Sequence, residues 1–319
     1  MLEITDKINY GANVETVIEN DDCKIMKIHD ETGEGMMTMY HVFSGVTLMY
    51  NDFHMSKCVS GFQADTNLLC IDHCREGRIE QEVGKDAYSY LEAGDLRVDR
   101  RLNHSGQFVF PLCHYHGISI GFELKVAEKE LPNVVKGFSV NLLRITEKYC
   151  NNSSMFVIHR EPAVEHIFSE LYNVPAKIKK DYFRIKVLEL LLFLDALELS
   201  EHKEERPYFY KSQVEKIKAI QALMTADLTK NYTIEELSKQ FDIALTPLKN
   251  CFKNVYGSPI FAYMRTYRMN YAASLLRTDK TLKIADIAGI VGYDSPSKFA
   301  SAFKQEMGKT PLEYRKFFI

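Results

Sequence analysis

Residues 284–311 read IADIAGIVGYDSPSKFASAFKQEMGKTP, with the punctuation of two short helices about one sharp turn. Ala288 is a small residue inside the first helix, where a second helix must pack closely. Gly292 lets the chain turn without a Cβ clash. Ser295 followed by Pro296 marks a helix start, a hydroxyl to cap free amides and then a proline at the first helical position. Phe299, Phe303 and Met307 fall four apart and share the buried stripe of the second helix. Ser297, Lys298, Ser301 and Lys304 are left facing outward, with the capping Ser295 at the helix start. Small polar and cationic groups so placed reach base edges and phosphates in a DNA major groove.

A diverged copy lies upstream, IEELSKQFDIALTPLKNCFKNVYGSP over residues 234–259. Leu237 matches Ile287, Ser238 matches Ala288, Ile243 matches Tyr293, and Leu248 matches Phe299. Phe252 matches Phe303, Lys253 matches Lys304, and Gly257 matches Gly308. Each copy is a helix, a turn and a second helix ended by glycine, with a proline just beyond. In the first copy Leu248, Phe252 and Val255 form the buried stripe, and Thr246, Lys249, Asn250 and Lys253 the exposed one. Asn pairs bidentately with adenine, and Lys donates to guanine or phosphate. Between the copies, residues 261–277 (FAYMRTYRMNYAASLLR) read as one long helix with Met264, Tyr271 and Leu275 on one side. A single helix-turn-helix pattern is more often an ordinary helical hairpin. Two of one design, on a rigid connecting helix and with exposed Lys and Asn, point to DNA.

Charge supports that reading. Residues 213–319 hold sixteen Lys and Arg against ten Asp and Glu, on a chain whose net charge is −3. A basic third on an acidic chain suits an anionic partner for one domain and not the other.

Upstream, residues 1–125 are strand-rich. Short alternating or apolar runs such as GVTLMYNDF, TNLLCIDHC, GRIEQEV, YSYLEAG, DLRVDRR and GISIGFEL are separated by turn residues, the spacing of a sandwich or barrel. Ala93-Gly94-Asp95 reads as a tight turn. From about residue 130 the period becomes helical. Residues 184–199, RIKVLELLLFLDALEL, put Ile185, Leu188, Leu192 and Leu199 on one stripe with further leucines around it. A helix apolar over so much of its circumference is expected to be buried on more than one side, the second by a partner chain. SEHKEERPYFYKS, residues 200–212, is polar, charged and broken by Pro207, as a linker would be.

Composition, with 46% hydrophobic and 26% charged residues, is that of an ordinary globular protein. No run approaches the ~18 apolar residues that span a bilayer. The opening MLEITDKINYGANVE lacks the basic-then-apolar pattern of a secretory leader, and seven cysteines in no framework spacing suit a reducing cytoplasm. A cytoplasmic protein without membrane partner is expected.

His114-Tyr115-His116 would set two imidazoles on one face of a strand. Cys70, His73 and Cys74 lie on another strand, and His54 and Cys58 on a third; together they offer soft metal ligands. Glu123 follows His116 by seven residues, too far for the usual paired-histidine metal set. No metal and no cofactor is therefore expected, and an organic ligand inside the β domain is preferred, with His114 and His116 as its candidate contacts.

The stretch 213–319 resembles the DNA-binding domain of the AraC/XylS family, through RMNYAASLL at residues 268–276 and then residues 284–315, ending in EYR. Residues 74–83 (CREGRIEQEV) and 110–123 (FPLCHYHGISIGFE) are similar to effector-sensing segments joined to such domains. The resemblance implies an α+β chain. A cupin-like jelly-roll sensor would occupy residues 1–128, a helical dimerisation segment 129–199, a linker 200–212 and a double helix-turn-helix domain 213–319. It implies a homodimeric transcription regulator, an activator controlled by a small-molecule effector, with double-stranded DNA and RNA polymerase as partners and no enzymatic activity. Asp242 departs from the family's turn glycine, Ala244 from its capping serine, and Asn250 and Ser301 stand where arginine is frequent. The competing expectations are a cupin-type metal-dependent enzyme with a helical appendage, and an adaptor that binds protein through its helical repeat.

Overall fold

The computed structural model describes residues 8–83, 86–101, 103–150, 155–199 and 209–317. The chain divides into two compact units, Met1–Glu82 with Ser89–Pro207, and Val83–Tyr88 with Tyr208–Ile319.

The first unit is built on antiparallel strands. They are β1 (Ile8–Asn9), β2 (Val14–Glu19), β3 (Lys24–Asp30), β4 (Gly33–Phe43), β5 (Val46–His54), β6 (Lys57–Ala64), β7 (Leu68–Val83), β8 (Ala87–Glu92), β9 (Leu96–Arg100), β10 (Asn103–Val109), β11 (Tyr115–Glu123) and β12 (Met155–Ile158). The order β1-β6-β10-β7-β11-β5-β4-β3-β2 folds over on itself, because β7 belongs to both halves. Its first part pairs with β11 and β9, and its far end reaches β10 through Glu80 and Val109. The bend falls at a register shift opposite His116 and Gly117, next to Gly77. A β-bulge bends a strand and increases its twist. Gly77 has φ +88°, and a Cβ there would lie 2.2 Å from the His114 carbonyl oxygen, so only glycine fits. The result is an antiparallel half-barrel.

Alternation along the strands separates two cores. Leu48, Ile71, Ile118, Ile120 and Phe122 point out of the half-barrel into a helical layer. That layer is α1 (Leu124–Val134), α2 (Leu142–Cys150), α3 (Pro162–Leu171) and α4 (Lys179–Ala196). Met37, Met39, Cys74, Ile79, Phe110 and Tyr115 face the interior. The turn at residues 93–95 forms as read, with Gly94 at φ +87° and the Asp95 amide donating to the Glu92 carbonyl.

Two readings of the helical segment need correction. Helix α4 ends at Ala196, before Leu199, which therefore lies off its stripe. Its stripe against the sheet is Phe183, Val187, Leu190, Leu191 and Leu194, while Ile185 and Leu192 are 60% and 49% exposed. Ile185 and Leu192 thus lie on the outer face of α4, while Leu188 is half-buried against the core at its edge.

Among its described residues the second unit is helical but for one short strand and the end of β8 that pairs with it. Residues 200–208 of the expected linker lie outside the described residues. Phe209–Tyr210 form β13, paired with Tyr88 and Ala87, and Lys211 already begins α5 (Lys211–Ala226). Then follow α6 (Ile234–Gln240), α7 (Leu245–Tyr256), α8 (Ile260–Thr278), α9 (Ile284–Ile290), α10 (Pro296–Met307) and α11 (Pro311–Phe317). Among the described residues no helix is long and apolar enough to cross a membrane.

Candidate nucleic-acid interface

The helix-turn-helix units are α6–α7 and α9–α10. In the first, Thr233 and Glu236 make a reciprocal capping box, the Thr233 amide donating to the Glu236 carboxylate at 2.8 Å and the Glu236 amide to the Thr233 hydroxyl at 3.1 Å. The turn that follows is locked at both ends by Ser238. Its carbonyl accepts from the Ile243 amide at 3.1 Å, and its hydroxyl donates to the Ile243 carbonyl at 2.8 Å. Asp242 holds the left-handed backbone conformation there, at φ +47°. An aspartate tolerates this better than most side chains. Ala244 occupies the N-cap of α7 and offers no side-chain acceptor to the free amides.

In the second unit the turn residue is glycine. Gly292 has φ +79°, and a Cβ there would sit 2.0 Å from the Leu228 carbonyl oxygen. Ser295 caps α10 by accepting from the Lys298 amide at 3.4 Å, so its hydroxyl is engaged in the helix start. Both second helices end on a left-handed glycine, Gly257 and Gly308.

The repeat extends further than the two hairpins. Phe252 meets Tyr263 edge-on at 5.5 Å, and Phe303 meets Tyr314 edge-on at 5.4 Å. Asp227 with Thr229, and Asp279 with Thr281, make the same hydrogen-bonded turn before each unit. Arginines then clamp the loops leading into the units. Arg268 on α8 donates to the carbonyls of Leu228 and Lys230 and to the Asn231 side chain, at 2.9, 3.2 and 3.0 Å. Arg315 on α11 donates to the Leu282 carbonyl at 2.8 Å. Leu228 is therefore held by Arg268 while Gly292 approaches it from the other unit, which fixes the two hairpins to each other. Sequence reading missed these arginines as structural parts. Their spacing carries no period, and only the repeated D-x-T turns signalled the longer copy.

Helix α8 buries Ile260, Met264, Met269, Ala272, Ala273 and Leu276. Of the stripe read from sequence, Met264 is buried but Tyr271 is 44% exposed, a correction. The helix is gripped by neighbours on two sides, so no single stripe describes it.

Thr246, Lys249, Asn250 and Lys253 are all exposed along α7, and Ser297, Lys298, Ser301 and Lys304 along α10. Leu248, Phe252 and Val255, like Phe299 and Phe303, are fully buried behind them. Each second helix thus turns an apolar face inward and a lysine-bearing polar face outward.

In the first unit, the structure separates the candidate metal ligands. Cys70 and Cys74 face the half-barrel interior, whereas His73 points to the helices and stacks on Phe168 at 4.3 Å. Burial pushes the Cys70 thiol up to about 12 and the His73 imidazole down to about 4. His54 and His116 meet instead on the outer face, where both ring nitrogens contact Asp52, at 2.8 and 3.1 Å. These three offer ligand atoms within 4.8 Å of one another, the set among the described residues that could hold a metal ion. Cys58 takes no part in it. The His114 ring is engaged with the Leu112 carbonyl at 2.9 Å.

An interior cavity of about 130 Å³ lies inside the half-barrel, walled by Met37, Met49, Phe53, Phe108 and Phe110. His114 and His116, the expected effector contacts, do not line it; Tyr115 does. Strand alternation sends His116 to the opposite face from Tyr115. At one end of the cavity, Asp72 receives Arg97 at 2.5 Å and also Arg101, and Arg101 reaches Asp99 at 3.1 Å. Burial pushes the Asp72 carboxyl up, but Arg101 and Arg97 hold it well below the usual carboxylate range. Sequence reading missed this cluster because Arg97, Asp99 and Arg101 alternate like the solvated face of a strand.

Paired helix-turn-helix units of one design, joined by a shared helix and each presenting an exposed cationic face, define a double helix-turn-helix DNA-binding domain. Residues 237–316 match the family described as a helix-turn-helix domain. The HTH-type transcriptional activator RhaR of Yersinia pseudotuberculosis serotype O:1b is 28% identical over 142 residues, which are 44% of this chain and 49% of that protein. The chain thus spans about half the length of this curated relative. The C-terminal domain of the response regulator yesN from Fusobacterium nucleatum is 33% identical and covers 32% of this chain and 95% of its own, with a TM-score of 0.28. Unsaturated fatty acid bound ToxT from Vibrio cholerae is 14% identical and covers 86% of this chain and 96% of its own, with a TM-score of 0.32. The matched residues 237–316 are thus a helix-turn-helix domain of the AraC type, at the C-terminal end of the chain.

Proposed function

We propose that the whole chain is a sequence-specific transcription regulator that places α7 and α10 in consecutive major grooves of double-stranded DNA. The observation that carries this reading is the twofold occurrence of one exposed face, Thr246-Lys249-Asn250-Lys253 and Ser297-Lys298-Ser301-Lys304, over fully buried stripes. Helices held by one connecting helix would meet base edges about one helical turn, ~10 bp, apart. The half-barrel is the effector module, and its ligand occupies the interior cavity rather than the His114–His116 face. The outer stripe of α4 pairs two copies into a homodimer, since Ile185 and Leu192 are large apolar side chains left open to solvent in one chain. As its curated relatives are named activators, activation through contact with RNA polymerase is the regulatory sense we assign. A cupin-type enzyme would need its metal ligands inside the cavity, whereas Asp52, His54 and His116 cluster outside it. A gel-shift assay of the full chain on the promoter nearest its own gene tests the proposal. A specific, salt-sensitive shift is expected, and a chain that binds no DNA in low salt overturns it.

A further inference from the structure

The effector cavity has a composition that selects among ligand classes. Its volume of about 130 Å³ is close to that of an apolar cavity of ~150 Å³ that takes up benzene. Most of its wall is aromatic, methionine or aliphatic side chain, yet part of it is polar and incompletely bonded. Asn51 and Asp72 are 7% and 2% exposed and both line it. The Asn51 amide donates to the Ser119 hydroxyl at 2.9 Å, leaving its Oδ1 without a hydrogen-bond partner. Asp72 collects Arg97 and Arg101 on Oδ2 and is hydrogen-bonded by Ser119 as well. Arg101 reaches the same cavity with an unpaired Nε. Buried polar atoms are almost always partnered, so an acceptor and a donor left on residues of one cavity wall call for a group that supplies the complement.

Charge narrows the class. Asp72 and Asp99 balance Arg97 and Arg101 within one network of ion pairs. A charged ligand would enter a low-dielectric site that has no net countercharge for it. A carboxylate would in addition set its oxygens against Asn51 Oδ1 and the ionised Asp72. A hydroxyl fits, since it donates to Asn51 Oδ1 and accepts from Arg101 Nε. We propose that the ligand of this cavity is a small neutral molecule with an apolar, ring-sized body and a hydroxyl group, of the phenol or cyclic-alcohol class. The proposal rests on the half-barrel being the effector module.

The test uses the full chain, with phenol, benzene and benzoate as calorimetric probes of one size and three polarities. Phenol should bind one per chain at least tenfold more tightly than either of the others. Asn51→Leu should lose at least tenfold in phenol affinity while benzene binding holds, and Cys58→Phe, which fills the cavity, should abolish both. Benzene or benzoate binding as tightly as phenol overturns the assignment, and so does a cavity that takes none of the three and holds water alone. The three-ligand series stands without the variants if either fails to fold. A promoter gel shift on the same preparation separates the two levels. A shift retained without phenol binding removes the ligand class only, whereas a lost shift removes the regulator reading.

Discussion

Asn250 and Lys304 are both exposed, one on α7 and one on α10, but their chemistries differ. An amide at the rim of a major groove discriminates bases, whereas an ammonium is a point charge for phosphate. Asn250→Ala should therefore cost roughly 1–3 kcal/mol and relax preference at one or two base pairs, while Lys304→Ala weakens all sequences alike. A base-by-base operator substitution series reads both, and an unchanged preference in Asn250→Ala would make α7 a phosphate-contacting element. His73 carries a prediction of another kind. Burial lowers its imidazole from 6.5 to about 4. The folded state thus favours the neutral ring, and its contribution is complete above the unfolded value and lost as pH falls from about 6.5 towards 4. At 1.36 kcal/mol per pH unit the loss approaches ~3 kcal/mol. Denaturant titrations at pH 7 and pH 4.5 should show it in the parent chain and a flatter dependence in His73→Phe; equal slopes reject the assignment.

At the scale of the element, α7 and α10 share a pattern but are specified unequally. Ser295 and Pro296 start α10 with a cap and a preset φ, whereas α7 starts on Ala244 with no side-chain cap. Ala244→Ser should stabilise the domain by about 1 kcal/mol, read as a rise in the denaturation midpoint of the helical unit. No rise would mean that the Ala244 side chain lies outside reach of the α7 amides. Helix α4 carries apolar side chains on two faces, one spent on the sheet and one exposed. Replacing Leu188 and Leu192 with charged residues leaves Val187, Leu190 and Leu194 in place. The sedimentation coefficient should fall to that of a monomer, or the protein become insoluble. A soluble double variant with the parent's dimeric mass would refute dimerisation through this face.

For the whole molecule, the charge division predicts behaviour that neither element shows alone. Residues 213–319 carry the basic excess on an otherwise acidic chain. The fragment 205–319 should fold and bind duplex DNA of any sequence in low salt, with affinity falling steeply as salt rises through counterion release. Binding that ignores salt would mean that the cationic faces of α7 and α10 are not the contact surface.

The helical domain was legible before any coordinates because its signals are local. Gly292, Ser295, Pro296 and the fourfold spacing of Phe299, Phe303 and Met307 each act within a turn or two of chain, and the copy at residues 234–259 repeats them. The strand-rich character of the first 125 residues was legible for the same reason, since alternation is a property of neighbours. What local pattern cannot express is which side of a strand faces inward. Cys70, His73 and Cys74 looked like one site, and strand alternation sent His73 to the other face. His114 and His116 looked like cavity contacts, and Tyr115 took that place. Arg97, Asp99 and Arg101 carried no signal of their own, since charges at every second position are also what a solvated strand face shows, and the closure of the half-barrel gathered them around Asp72. Arg268 gained a role only when Leu228, forty residues away, came within 2.9 Å. Faces are chosen by which sheet closes over which helix, and that depends on contacts between residues far apart in sequence.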